Sequence, residues 1–288
     1  MMKRMGKVMK AIAAVATVAT MASMAACGGS SSGSSDGGGK KITIGIKFDQ
    51  PGLGFKQGSS YSGFDVDVAT YVAKKLGYSA NQIVWKEAPS KQRESLLQNG
   101  TVDLVVATYT MNKSRADVVD FAGPYFVAAQ DILVRANDKK ITGPKALDGE
   151  KLCSVTGSTS AQHVKDDFSH NTQLMEQPGY AECVTALLSG TVDAVTTDDI
   201  ILAGLAAAKG NGQLKVLGTP FSEEPYGIGV KKGNTAMVKK VNAAIEDMIK
   251  DGSWKAAVEK ATKGTGYTPN AKFNPPTKIG DASWIQDK

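Results

Sequence analysis

Two apolar runs in this 288-residue chain end in polar clusters that can bind charge. Val102–Ala107 ends at Thr108-Tyr109-Thr110, and Arg115 follows Thr110 by five residues. A short loop over that spacing brings a guanidinium and hydroxyls to one point. The guanidinium is a planar fork matched to a carboxylate. Its competing reading is a surface ion pair with Asp117 or Asp120. The second run ends at Thr197-Asp198-Asp199. Asp198 either faces a cation or caps the helical run after it, and Asp199 can take the capping role instead. Gly157-Ser158-Thr159-Ser160 precedes a helical pattern over Ala161–Phe168. Free N–H groups at a helix start attract anions, although a plain capping box uses the same hydroxyls. No Lys-Ser/Thr follows the turn, which argues against a phosphate loop.

Catalytic and metal chemistry finds little support. His163 and His170 are the only histidines, seven apart, and read as solvated helix residues. No HExxH or CxxC occurs, and no GxSxG occurs outside the Gly/Ser-rich stretch that follows Cys27. A triad assembled from distant residues is not excluded by one sequence. Cys153 and Cys183 form an even pair once Cys27 is assigned elsewhere, and in an exported chain they are expected as a disulfide rather than as two free thiols. Closing that loop contributes about 3–4 kcal/mol on the chain-entropy account. Zinc needs more Cys and His than this. No metal and no cofactor is expected.

The elements that position these groups alternate. Lys41–Lys47 and Ile83–Glu87 read as strands, and Phe64–Leu76, stopped by Gly77, as a helix. Lys91–Gln98 reads as a helix and Val102–Ala107 as a strand. Such alternation predicts parallel α/β sheets. Leu96-Leu97-Gln98-Asn99-Gly100-Thr101-Val102-Asp103 is echoed by Leu187-Leu188-Ser189-Gly190-Thr191-Val192-Asp193. In both, a helix stops at glycine and a strand begins. The echo predicts two lobes of similar construction, and ligands of open α/β sheets sit beyond the strands' carboxyl ends. Asp131–Arg135 and Tyr226–Lys231 read as strands crossing between the lobes, a hinge architecture. Lobe 1 is then 40–133 with 226–288, including helices over Asn234–Lys250 and Ser253–Ala261, and lobe 2 is 134–225. Pro269, Pro275 and Pro276 suggest an extended strap at the C-terminus.

Composition narrows the class. With 42% hydrophobic and 22% charged residues the chain is neither disordered nor fibrous. Lys3, Arg4, Lys7 and Lys10 account for four of the six net positive charges, and no acid precedes residue 27. The body is nearly balanced and offers no basic face for nucleic acid. Residues 1–26 read as an export signal: a basic start and then 16 small apolar residues, short of the roughly 20 that span a membrane. Met24-Ala25-Ala26-Cys27 resembles the bacterial lipobox, which implies cleavage before Cys27 and a lipid on its sulfur. Together with Cys27, the Gly/Ser-rich residues 28–39 form a tether spanning about 20 Å.

Over about 42–262 the sequence resembles the solute-binding proteins of ABC transporters, polar amino acid group. The resemblance rests on GFDVDVATYVAKKLG (63–77), LLQNGTVDLVVATYTMNKSRADVVDFAGPY (96–125), SVTGSTSAQHVK (154–165), SGTVDAVTTDD (189–199) and EPYGIGVKK (224–232). Lys47–Gly52 and Pro89–Arg93, with the two cysteines, look most like actinobacterial glutamate-binding lipoproteins. The resemblance implies a two-lobed periplasmic-binding-protein-like (type II) α/β fold with a two-strand hinge, closing over its ligand. It implies Arg115 on an α-carboxylate, with Ser158 and Thr159 meeting the same group from lobe 2. It places Asp198 on the ammonium, completed by the Thr108 carbonyl and the Thr110 hydroxyl. Lys47 and Arg93, with Ser90 beside it, match positions that hold Arg in acidic-amino-acid binders, and Tyr180 helps orient the side chain. Lys47, Arg93 and Arg115 against Asp198 then balance glutamate, whereas glutamine leaves one cation unpaired. The expected protein is a lipid-anchored, extracytoplasmic monomer serving an ABC permease. Aspartate or glutamine binding, a sensor or adhesin role, and a dehydratase of the same fold are the alternatives.

Overall fold

The computed structural model describes residues 39–287. The expected export signal, Cys27 and nearly all of the expected tether lie outside the described residues. The chain runs β1 (Ile42–Ile46), a hairpin of β2 (Phe55–Gln57) and β3 (Ser60–Ser62), α1 (Phe64–Lys75), β4 (Ile83–Glu87), α2 (Arg93–Gln98), β5 (Leu104–Val105), α3 (Lys113–Ala116) and β6 (Val119–Ala128). It continues through β7 (Gln130–Arg135), β8 (Lys151–Val155), α4 (Ser160–Asp167), β9 (Gln173–Gln177), α5 (Tyr180–Leu188), β10 (Ala194–Asp198), α6 (Asp199–Lys209) and β11 (Leu214–Val216). The last elements are β12 (Glu224–Lys231), α7 (Thr235–Lys250) and α8 (Ser253–Thr262).

Two five-stranded sheets result, ordered β4-β1-β5-β12-β6 and β11-β7-β10-β8-β9. Each has a parallel part built by helical crossovers, β1 with β4 and β5, and β8 with β9 and β10. Neither sheet is purely parallel, contrary to expectation. β12 runs antiparallel to β5 and β6, and β7 antiparallel to β10 and β11. A strand arriving straight from the other lobe has no crossover helix to impose the parallel direction.

The lobe boundaries also shift. β7 lies wholly in the second sheet and β12, from Glu224, wholly in the first. The chain therefore crosses at Ala129 and between β11 and β12, not within Asp131–Arg135 and Tyr226–Lys231. A buried apolar run does not reveal which sheet it joins. Residues 119–128 form a long strand that the sequence reading did not assign. Gly123 and Pro124 interrupt its pattern, and Pro124 is tolerated because β6 is a sheet edge.

The internal echo is structural. Gly100 and Gly190 both take left-handed φ, +68° and +75°. After them Thr101 N bonds Leu96 O, and Thr191 N bonds Ala186 O, each at 2.9 Å. Asp103 then accepts from Thr43 N at 2.8 Å, and Asp193 from Lys151 N at 3.0 Å. One αβ junction is thus built twice, once per lobe. The core under lobe 1 includes Ile44, Phe64, Val68, Val241, Ile245 and Trp254, and that under lobe 2 includes Ile132, Leu152, Val164 and Ala194. Cys153 on β8 and Cys183 on α5 form a buried disulfide. The C-terminal strap packs: Asn274 exchanges two hydrogen bonds with Val127, and Gln286 pairs with Met111 and Lys113. Among the described residues no helix is long and apolar enough to cross a membrane.

Candidate functional site

Between β5 and α3 the first-lobe chain leaves regular structure but stays buried. Thr108 adopts a φ of +44°, a strained geometry for a β-branched residue. Three side chains hold it there. Its N–H donates to Asp65 at 3.2 Å, its hydroxyl to Gln50 at 3.1 Å, and its carbonyl accepts from Arg93 at 3.2 Å. Gln50 Nε2 is buried beside it without a partner among the described residues. Thr110 pairs in a β-bridge with Tyr226 and donates its hydroxyl to Glu224 at 2.7 Å. Asn112 caps the single turn of α3 by accepting from Arg115 N at 3.1 Å, which fixes the root of the arginine.

Both guanidiniums stand over the Tyr109 ring, Arg93 at 4.2 Å and Arg115 at 5.2 Å from its centroid. Arg93 donates to the carbonyls of Ser90, Ala107, Thr108 and Gly157. Arg115 donates to Thr110 O at 2.9 Å and Gly157 O at 3.0 Å, with Nε 3.7 Å from Glu94. The alternative pairing with Asp117 or Asp120 is not formed; Asp120 pairs with Lys232. Gly157 belongs to lobe 2, so both arginines reach across the cleft. Its φ is +85°, and a Cβ there would lie 2.7 Å from Lys91 N, so glycine lets the lobes meet.

From lobe 2, Asp198 occupies the N-cap position of α6 but makes no capping bond with its side chain. It accepts instead from the Tyr226 hydroxyl of lobe 1. Asp199 is tied to Ala129 N, Ile200 N and the Tyr267 hydroxyl. Thr159 precedes α4 without capping it, and its hydroxyl accepts from Gln130 Nε2 at 3.1 Å. No capping box forms there.

Ser90, Arg93, Thr108, Thr110, Arg115, Ser158, Thr159, Tyr180 and Asp198 line one cavity with Thr197 and Ile201. Its volume is about 20 Å³, far below that of drug-sized ligand pockets, so the lobes are shut tightly on it. Lys47 is not in that lining. It lines the adjoining crevice, and its Nζ reaches the cavity wall by donating to Ser90 Oγ at 2.6 Å. The Thr108 carbonyl and Thr110 hydroxyl, expected free for a ligand, are both engaged, the carbonyl keeping one lone pair and the hydroxyl its acceptor capacity.

The expected balance of three cations and one acid is also incomplete. Glu224 and Asp65 are buried beside the cavity. Nothing in EPYGIGVKK marks Glu224, because a strand-opening acid normally faces water. Burial raises Asp65 to about 7, and burial together with Glu224 raises Asp198 to about 7. Glu224 itself is raised by burial. Burial, then Arg93, lowers Lys47 to about 7 and Arg115 to about 10.

His163 is half-buried and fully bonded rather than freely solvated. Its Nδ1 meets Gln130 Oε1 at 2.9 Å and its Nε2 Asp167 at 2.8 Å. His170 lies beyond the end of α4 and meets Lys165 O. Gln130 separates His163 from the Thr159 hydroxyl, so this line holds a wall of the cavity rather than activating a nucleophile. No cluster of three or more potential metal ligands occurs among the described residues.

Residues 42–263 match the bacterial extracellular solute-binding proteins, family 3. The chain is 45% identical over 245 residues to the glutamate-binding protein GluB of Corynebacterium efficiens, covering 80% of this chain and 82% of that one. It is 40% identical over 225 residues to the ABC transporter glutamine-binding protein GlnH of Bacillus subtilis, covering 77% and 81%. Its structure superposes on an ancestral arginine-binding protein bound to glutamine with a TM-score of 0.71 and 36% identity, over 76% of this chain and 96% of that one.

Proposed function

The chain belongs to the bacterial extracellular solute-binding proteins of family 3, a family of transport proteins rather than enzymes, and we propose that its solute is a free α-amino acid, glutamate first, held between the lobes and passed to an ABC permease. The donor count of Arg115 carries this reading. A guanidinium has five N–H groups. Two are bonded to Thr110 and Gly157, and Nε faces Glu94. One N–H remains on each terminal nitrogen, free to meet a carboxylate. Asp198, from the other lobe, and the Thr110 oxygen suit the ammonium. Each end of a zwitterion removed from water then finds an opposite charge.

Lys47 supports a second carboxylate. It is buried, its hydrogen-bond partner is the Ser90 hydroxyl, and no carboxylate among the described residues is in ion-pair contact with it. A glutamate side chain would supply that counter-ion. The relative named for glutamate points the same way. Glutamine is the second reading, favoured by the buried acids Asp65 and Glu224 and by the relative named for glutamine. Titration calorimetry with glutamate, glutamine and aspartate decides. Glutamate binding at least tenfold tighter than glutamine supports the acidic reading, and the reverse order overturns it.

We read Cys27 as the lipid-bearing residue that holds the body outside the membrane on its Gly/Ser tether. Palmitate labelling that disappears in Cys27→Ala supports the anchor, and labelling that persists removes it.

A further inference from the structure

Asp49 lies in lobe 1 just after β1, half-buried, and Tyr180 opens α5 in lobe 2. The Asp49 carboxylate accepts from Tyr180 N at 2.9 Å. The N-cap residue of α5 is Gly179, and no side chain caps the helix from that position. Gly179 has φ −143° and ψ 163°, extended backbone that any residue adopts. The backbone therefore does not call for glycine, but a side chain there would push aside two carboxylates. A Cβ at Gly179 would stand 2.8 Å from Asp49 Oδ2 and 2.7 Å from Glu182 Oε2.

We propose that Asp49 is a positioning residue for the closed form, a lobe-1 carboxylate serving as the N-cap of a lobe-2 helix. A helix start leaves N–H groups unpaired and carries partial positive charge. Lobe 2 leaves that position bare, and lobe 1 fills it when the cleft shuts. The bond fixes the first residue of α5, and the Tyr180 side chain lines the cavity beside Ser158, Thr197 and Asp198. The same contact that latches the lobes thus sets a wall of the site. Because it joins two lobes, it belongs to the closed form and not to the folding of either lobe.

This inference rests on the reading that the cleft holds an amino acid, and its test separates the two. Stopped-flow fluorescence on the full chain, with glutamate and glutamine as probes, reads kon and koff. Asp49→Ala is expected to raise koff about tenfold, the scale of a lost N-cap, with kon and the ligand-free Tm unchanged. Asp49→Asn keeps an acceptor oxygen and falls between. Gly179→Ala also raises koff, and adding it to Asp49→Ala changes koff little further, because the group its Cβ meets is gone. An unchanged koff in Asp49→Ala, or fully additive effects, overturns the latch while leaving amino acid binding intact. A lowered ligand-free Tm with unchanged koff assigns Asp49 a structural role and overturns it equally. A wild-type chain that binds neither probe nor any other amino acid removes the proposed function, and the latch with it.

Discussion

The Thr110 hydroxyl donates to the Glu224 carboxylate at 2.7 Å, and Ser222 donates to the same carboxylate's other oxygen. The Thr110 proton is therefore committed, and its oxygen is left to accept. Beside it, Tyr226, the bridge partner of Thr110, donates to Asp198. Two buried acids from different elements thus flank one small volume, and each acts through a hydroxyl.

Replacing Glu224 by Gln removes one of those charges. Affinity for an α-amino acid near neutral pH is expected to fall about tenfold, the scale of one charged hydrogen bond. Burial is the main force raising the Asp198 carboxyl, and Glu224 is the next. The acid-side loss of binding should therefore move to lower pH in the variant. Calorimetry across pH checks both effects, and an unmoved acid limb would separate Glu224 from the ammonium site.

Arg93 and Arg115 should fail differently. Arg93 is bonded to three main-chain carbonyls of the first lobe, those of Ser90, Ala107 and Thr108, besides Gly157 of lobe 2. Arg93→Ala is expected to lower the ligand-free Tm as well as weaken glutamate by about 2–5 kcal/mol. Arg115 has two N–H groups to spare and should lose mainly binding, by a similar amount. Arg115→Lys should not restore it, since an ammonium lacks the fork. Thermal melts and calorimetry on the three variants test this, and equal Tm losses for Arg93→Ala and Arg115→Ala would contradict it.

The disulfide joins β8 to α5, three residues after Tyr180. Its reduction is expected to cost about 3–4 kcal/mol of stability. It should also loosen the helix that carries Tyr180. Denaturant melts with and without reductant measure the first effect, and ligand koff under the same conditions measures the second. Equal melts would place the stability of lobe 2 in its packing alone.

Much of this arrangement was legible because local chemistry and tertiary use agree. Gly100 and Gly190 stop helices for a reason visible in sequence, and the strands after them lead to Thr108 and Asp198. Other features depend on long-range placement. Glu224 reads as a strand-opening acid, and only the β-bridge between Thr110 and Tyr226 brings it under the site. Val119–Ala128 is broken by Gly123-Pro124, and its edge position alone permits the strand. Lys47 was readable as a cation at a strand end. That it bonds Ser90 and lies outside the cavity lining depends on a side-chain path no spacing encodes. His163 looked solvated because its partner Gln130 lies 33 residues away.

Lys47 and Asp198 together give a pH signature that separates the two ligands. Burial, reinforced by Arg93, lowers Lys47 to about 7, and burial with Glu224 raises Asp198 to about 7. An ammonium needs Asp198 ionised, so binding of either ligand should weaken as pH falls below about 7. A side-chain carboxylate needs Lys47 protonated, so glutamate binding should also weaken as pH rises above about 7. Each limb approaches about tenfold per pH unit, the equivalent of one proton linked to binding. Glutamine asks nothing of the Lys47 charge and should keep its affinity on the alkaline side. Calorimetry at about pH 5.5, 7 and 8.5 distinguishes a bell for glutamate from a single acid limb for glutamine. A glutamate affinity that holds steady above neutral pH would remove Lys47 from side-chain recognition and leave that task to Ser90 and Arg93.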